Sequence, residues 1–185
     1  MRAHLGQTQR YAHNVRVARL ADRLAQAHAQ DAGRARLAGM LHDLARLYSA
    51  ERLVAECEAR GMPIDAFERR NPIVLHARLG AELARESFGV EDPAILCAIQ
   101  RHTLAAPGMS QLDAIVYLAD SLEPGRPFAE RARLEVLAFQ DLDSAMLALL
   151  RSSIVYLRGR GLEAAPLTLA ALATYERRER SPLSA

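Results

Sequence analysis

The feature that most constrains this chain is its period. Apolar residues recur at spacings of three and four along nearly the whole length, and no stretch shows the alternation of a half-buried strand. Val17, Leu20, Ala21 and Leu24 form one such stripe, and His13 lies four residues before Val17 on the same side, which predicts a first helix over about 8–29. A second helix is expected from about Ala32 to Ala45, with Leu37, Leu41 and Leu44 on one side and His42-Asp43 near its C-terminal end. A third covers about Ala50 to Arg60, opened by Ser49 and stopped by Gly61-Met62-Pro63.

Asn71-Pro72 reads as an N-cap followed by proline at the first helical position, after which Leu75, His76, Leu79, Gly80 and Leu83 share a face. Asp92-Pro93 repeats the signal, with Ile95, Ile99 and His102 at i, i+4 and i+7. Ser110 caps a helix whose apolar side is Leu112, Ile115, Val116 and Ala119, and Asp120 falls near its end, before the breaker Glu123-Pro124-Gly125-Arg126-Pro127. Two further helices are expected over about 141–158 and 167–179. Without an internal repeat or linker, the 185 residues are read as one all-α domain, a helical bundle.

Composition agrees. Trp is absent and aromatics are 5%, so the core must come from Leu, Ala, Val and Ile; half the residues are hydrophobic and a quarter charged, as in soluble globular chains. All 24 basic residues are arginine, which excludes a P-loop lysine and a lysine Schiff base. A net charge of +2 with acidic residues interspersed leaves no electrostatic footprint for DNA or RNA. Cys57 and Cys97 form no CxxC pattern and are read as buried free thiols in a reducing compartment. No apolar leader and no run near the ~20 residues of a membrane span is present, so the expected location is the cytoplasm.

Against this background stands an ordered set: His13, His42-Asp43, His76, His102 and Asp120. A single imidazole on an apolar helical face is ordinarily a core residue bonded to a carbonyl, but here five predicted helices each contribute one or two such groups, which is how a bundle builds a metal site in its core. Imidazoles and carboxylates without thiolates suit a hydrolytic centre. His4 and His28 lack partners in this set and are read as surface residues, and the arginines at 131, 133, 177, 178 and 180 as solvated or frayed.

That order, with Ala38-Gly39-Met40-Leu41-His42-Asp43, His102-Thr103, Met109-Ser110 and Ala119-Asp120-Ser121-Leu122-Glu123-Pro124-Gly125-Arg126, resembles the HD-domain metal phosphohydrolases over about residues 9–160. Within them it is similar to the YqeK-like branch of symmetrical diadenosine tetraphosphate hydrolases. The resemblance implies a two-metal site, usually iron, with Asp43 bridging, His13, His42 and Asp120 on one ion, and His76 and His102 on the other; Mn, Zn, Co or Ni also suit such donors. It implies a bridging hydroxide attacking a dinucleoside polyphosphate to give two ADP, with Asp43 central to catalysis.

Arg126, after a Pro-Gly turn, and Arg46, where the family usually has lysine, are the expected phosphate-binding cations. Thr103 and Glu123 are expected beside the substrate, orienting His102 and Arg126 respectively. The chain departs from the family's His-Thr-Thr-Gly at Leu104-Ala105, and from its C-terminal Tyr-Asn at Tyr175-Glu176, so substrate fit is expected to differ more than metal binding. A nucleotidase or cyclic-nucleotide phosphodiesterase of the same family, and a regulatory module that binds nucleotides without turnover, stay open as alternatives. A homodimer is compatible with the apolar stripes but not specified by them.

Overall fold

Leu and Ala at inward helical positions give, in the computed structural model, ten α-helices and one 3-10 turn over the described residues 8–180, with no strand among them. In chain order these are α1 (Thr8–Ala27), α2 (Ala32–Leu41), α3 (Ala50–Ala59), α4 (Ala66–Arg70), the 3-10 turn Pro72–Val74, α5 (Leu75–Phe88), α6 (Pro93–Arg101), α7 (Gln111–Leu122), α8 (Arg131–Gln140), α9 (Leu142–Gly159) and α10 (Pro166–Arg180). His4 lies outside the described residues.

The caps explain most boundaries. Asp31, Ser49, Asp92, Ser110 and Asp141 each accept a hydrogen bond from a backbone N–H of the first turn that would otherwise lack a partner. Helix α7 is buried on nearly every side, from Leu112 to Leu122, so it forms the centre of the bundle, and α1, α2, α6, α8 and α9 pack around it. Helices α1 and α2 approach backbone to backbone, because a side chain at Gly39 would lie 3.1 Å from Ala18 Cα. Buried Asn14 ties the same pair by donating to Met40 O at 2.9 Å.

Several boundaries differ from expectation. Helix α2 ends at Leu41, and residues 42–47 form consecutive turns, so His42-Asp43 stands just beyond the helix rather than inside it. Leu37 is exposed, and Ala35, Ala38 and Gly39 take the inner side. Asn71 is no cap for α5: its amide donates to Phe67 O at the end of α4, a helix too short for periodicity to reveal, opened by an Asp65–Glu68 capping box. Helix α8 also goes unpredicted, since only Leu134 and Ala138 of its ten residues are buried. His28 is half-buried and bonds Ala138 O at 2.7 Å, and Arg131 donates to the C-terminal carbonyl of Leu122 at 2.9 Å, so these two serve packing; Arg178 is exposed and pairs with Asp143 at the surface at 3.1 Å. Cys57 is buried, Cys97 only partly so, and both are free.

The end of α1 carries local strain. The Gln30 N–H reaches back to Ala25 O at 2.8 Å and the Ala29 N–H to Gln26 O at 3.3 Å, a Schellman closure that places Ala29 at φ +52, where glycine is the preferred residue. Ala29 is exposed, so its methyl contributes little packing. Ala29→Gly should therefore stabilise the fold by about 1 kcal/mol. A urea unfolding midpoint that stays put or falls would contradict this.

Candidate metal centre

Six polar side chains converge where α1, the turn after α2, the start of α5, the end of α6 and the end of α7 meet. His13 comes from α1, His42 and Asp43 from the turn, His76 from the first turn of α5, His102 from the residue closing α6, and Asp120 from the last turn of α7. The fold thus brings together all six residues singled out from the sequence. His13, His42, Asp43, His76 and His102 are buried, and the Asp120 side chain is 16% exposed. Gly80 lets α5 lie against the turn, since a side chain there would meet His42 O at 3.3 Å.

Every imidazole is held through Nδ1. His42 bonds Gly39 O at 2.8 Å, His76 bonds Ile73 O at 2.5 Å and His102 bonds Ile99 O at 2.7 Å, each using the carbonyl three residues earlier; His13 Nδ1 bonds Glu123 Oε1 at 3.0 Å. With an acceptor on each Nδ1, that nitrogen carries a hydrogen and each Nε2 is turned to the interior. His76 Nε2 and His102 Nε2 lie 3.1 Å apart, two lone pairs in opposition unless a proton or cation lies between them. The Nε2 atoms of His13 and His42 are buried and make no hydrogen bond among the described residues, although Asp120 Oδ1 is 3.0 and 3.6 Å away.

The carboxylates complete the pattern. Asp43 Oδ2 faces His42 Nε2 at 3.5 Å and His13 Nε2 at 3.8 Å, while its Oδ1 faces His76 Nε2 at 3.3 Å and His102 Nε2 at 3.8 Å. The donor atoms of His13, His42 and Asp43, of His42, His102 and Asp120, and of Asp43, His76 and His102 each lie within 4.8 Å of one another. Buried imidazole nitrogens without a hydrogen bond, beside carboxylates of this kind, fit a metal centre. The C-terminal ends of α2, α6 and α7, the negative ends of their dipoles, also face the cluster and favour a cation there.

Charge in the cluster is strongly coupled. Burial disfavours a charged His42, but Asp43 and then Asp120 outweigh it and push the imidazole up to about 10. Burial, reinforced by His42 and His76, pushes His102 down to about 3. Asp43 and Asp120 are driven well below the usual carboxylate range despite their burial, chiefly by the imidazoles around them.

A cleft of about 720 Å³ opens onto the centre. Arg46, Arg126 and Thr103 line it as expected, and Arg10 joins them without having been predicted. Arg126 Nη2 bonds Asp120 Oδ1 at 2.5 Å and its Nε bonds Asp120 O at 3.0 Å; Arg10 Nη1 bonds Asp43 Oδ2 at 2.9 Å. Thr103 Oγ1 lies 3.0 Å from His102 Nε2 and 3.2 Å from His76 Nε2, on the cleft side of both rings. Ala105, where the resembled family has glycine, keeps the left-handed backbone at φ +58, and Thr168 anchors this loop by donating to Leu104 O at 2.8 Å.

Glu123 departs from expectation. It is buried, does not line the cleft, and bonds His13 and Arg16 rather than Arg126. Burial alone would raise this carboxyl, but hydrogen bonds from Arg16, His13 and the Gly125 N–H bring it down to about 2. The sequence offered only a spacing for Arg10 and Arg16: each lies three residues from His13 on α1, which puts it on that face but does not tell a solvated arginine from a paired one.

Comparison with known proteins agrees with this architecture. The family model for the HD domain matches residues 10–125. The chain is 34% identical over 148 residues to the symmetrical bis(5'-nucleosyl)-tetraphosphatase of Bacillus subtilis, spanning 80% of this chain and 79% of that protein. It is 33% identical over 161 residues to the protein of the same name from Halalkalibacterium halodurans, spanning 87% and 86%. A crystal structure described as a predicted HD superfamily hydrolase involved in NAD metabolism, from Clostridium acetobutylicum, superposes with a TM-score of 0.92 at 33% identity, over 96% of this chain and 93% of that one.

A metal ion taking His42 Nε2 must displace the proton that Asp43 and Asp120 hold there. Affinity for Mn²⁺ should therefore rise with pH between 6 and 8, by roughly tenfold per unit for one proton displaced. A chelator-competition titration giving a pH-independent affinity would rule out that exchange.

Proposed function

The chain belongs to the HD domain family, and within it we propose a metal-dependent hydrolase that cleaves diadenosine tetraphosphate symmetrically into two ADP. The relatives that share four-fifths or more of this chain carry that activity in their names. The observation that carries the reading is the placement of Asp43, whose two oxygens face two different histidine pairs. One carboxylate so shared is suited to bridge two ions, with His13, His42 and Asp120 on one and His76 and His102 on the other. We assign iron, although this donor set also accepts Mn, Zn, Co and Ni. Bound ions would supply Lewis acidity toward the phosphate oxygens and a water-derived nucleophile at neutral pH.

The side chains do the rest. Arg126 is held by Asp120 at the edge of the centre, where its guanidinium can bind a phosphate in bidentate fashion. Arg46 lines the same cleft from the turn that carries Asp43 and has no ion-pair partner among the described residues, leaving its charge available to substrate. Thr103 offers a hydroxyl on the cleft side of His76 and His102 for a phosphate oxygen. Symmetrical cleavage requires attack on an inner phosphorus with ADP as leaving group. All these groups come from one chain, which we read as a single domain that needs no partner subunit for the reaction. No helix among the described residues is long and apolar enough to cross a membrane, and the two free thiols fit our placement in the cytoplasm.

Anaerobically purified, iron-reconstituted protein should convert diadenosine tetraphosphate to ADP alone, and Asp43→Ala should abolish this. AMP plus ATP would move the point of attack, and faster turnover of a 5'-nucleotide would transfer the assignment to another substrate. Arg126→Ala should lower kcat/KM by about 100-fold, the scale for losing one stabiliser of developing charge; a change below threefold would remove it from the site.

A further inference from the structure

The four imidazoles of the centre are not held alike. Those of His42, His76 and His102 donate to neutral backbone carbonyls, whereas that of His13 donates to a carboxylate. This carboxylate, Glu123, is 2% exposed and sits where α7 ends. It accepts from His13 Nδ1 at 3.0 Å, from Arg16 Nε at 2.5 Å and Nη2 at 3.2 Å, and from the Gly125 N–H at 2.6 Å. Gly125 leaves room for the arrangement, since a side chain there would fall 2.6 Å from Arg16 Nη2 and 2.9 Å from Glu123 Oε1. The conspicuous Glu-Pro-Gly turn thus serves the back of a histidine rather than the mouth of the cleft.

A charged acceptor behind an imidazole fixes its tautomer and orientation, and makes the opposite nitrogen a stronger donor than a neutral carbonyl does. The same half of the centre also holds Asp120, while the His76–His102 half has only its share of Asp43. Arg16, with its side chain 38% exposed, holds the buried charge of Glu123 in place from the surface. We propose that Glu123 is a positioning residue that makes the His13 side the tighter and first-filled of the two metal positions, with Arg16 as its counter-charge. This rests on the two-ion reading above.

The test is Mn²⁺ titration of the metal-stripped full chain, with stoichiometry from elemental analysis and urea unfolding of each stripped variant as a control for folding. Wild type should bind two ions in two resolved steps. Glu123→Gln, which keeps the size of the side chain and loses its charge, should weaken the tight step 10- to 100-fold and leave the weak step unchanged. Arg16→Gln should keep the tight step within about threefold, because the Glu123 charge remains; a merely structural ion pair would make the two variants behave alike. Unchanged steps in Glu123→Gln, or a tight step at least tenfold weaker in Arg16→Gln, would overturn the inference and leave the two-ion reading standing. If Glu123→Gln does not fold, Glu123→Asp takes its place: the shorter side chain withdraws the carboxylate from His13 Nδ1, so the tight step should weaken about tenfold, and an unchanged tight step would overturn the inference. Fewer than two ions in wild type would overturn the reading beneath it, and the inference with it.

Discussion

The structure depends on the burial of two carboxylates in an apolar bundle. Asp43 and Asp120 lie where α1, α5, α6 and α7 converge, and a buried anion without compensation costs several kcal/mol. The fold surrounds them with positive or polarisable groups: four imidazoles and the guanidiniums of Arg10 and Arg126. These groups do not stabilise a folded core on their own account. They are arranged for a cation, and the Leu- and Ala-rich scaffold holds them in register.

Helix ends are the means by which this is done. His42 and His102 occupy the residue just past α2 and α6, and Glu123 the residue just past α7. At such positions the last-turn carbonyls lack their full complement of partners, so an imidazole N–H finds an acceptor without interrupting the helix. Nε2 is then turned inward by the same bond. Gly39 and Gly80 let the neighbouring helices close onto this turn, which places the ends within one cluster.

Much of this was legible in the sequence. Helices with a clean apolar stripe, such as α1, α6 and α7, the last two also with a capping residue, could be read to within a few residues, because burial of one face fixes the period. Helices α4 and α8 could not, one being five residues long and the other burying only Leu134 and Ala138 of its ten. The six converging residues were readable as a set because imidazoles and carboxylates are rare on apolar faces. Arg10, Arg16 and the true partner of Glu123 were not, since an arginine at helical spacing from a histidine looks the same whether it faces solvent or a buried carboxylate. The bond from Glu123 to His13 joins residues 110 apart, and no local pattern encodes it.

That separation has a consequence in time. During synthesis His13 emerges well before its partner, which follows only after α7 has been made. His42, Asp43, His76, His102 and Asp120 all emerge in between, and until Glu123 follows them His13 lacks the carboxylate that orients its ring. The His13 side of the cluster is therefore the last to be completed, when the end of α7 comes to pack against α1.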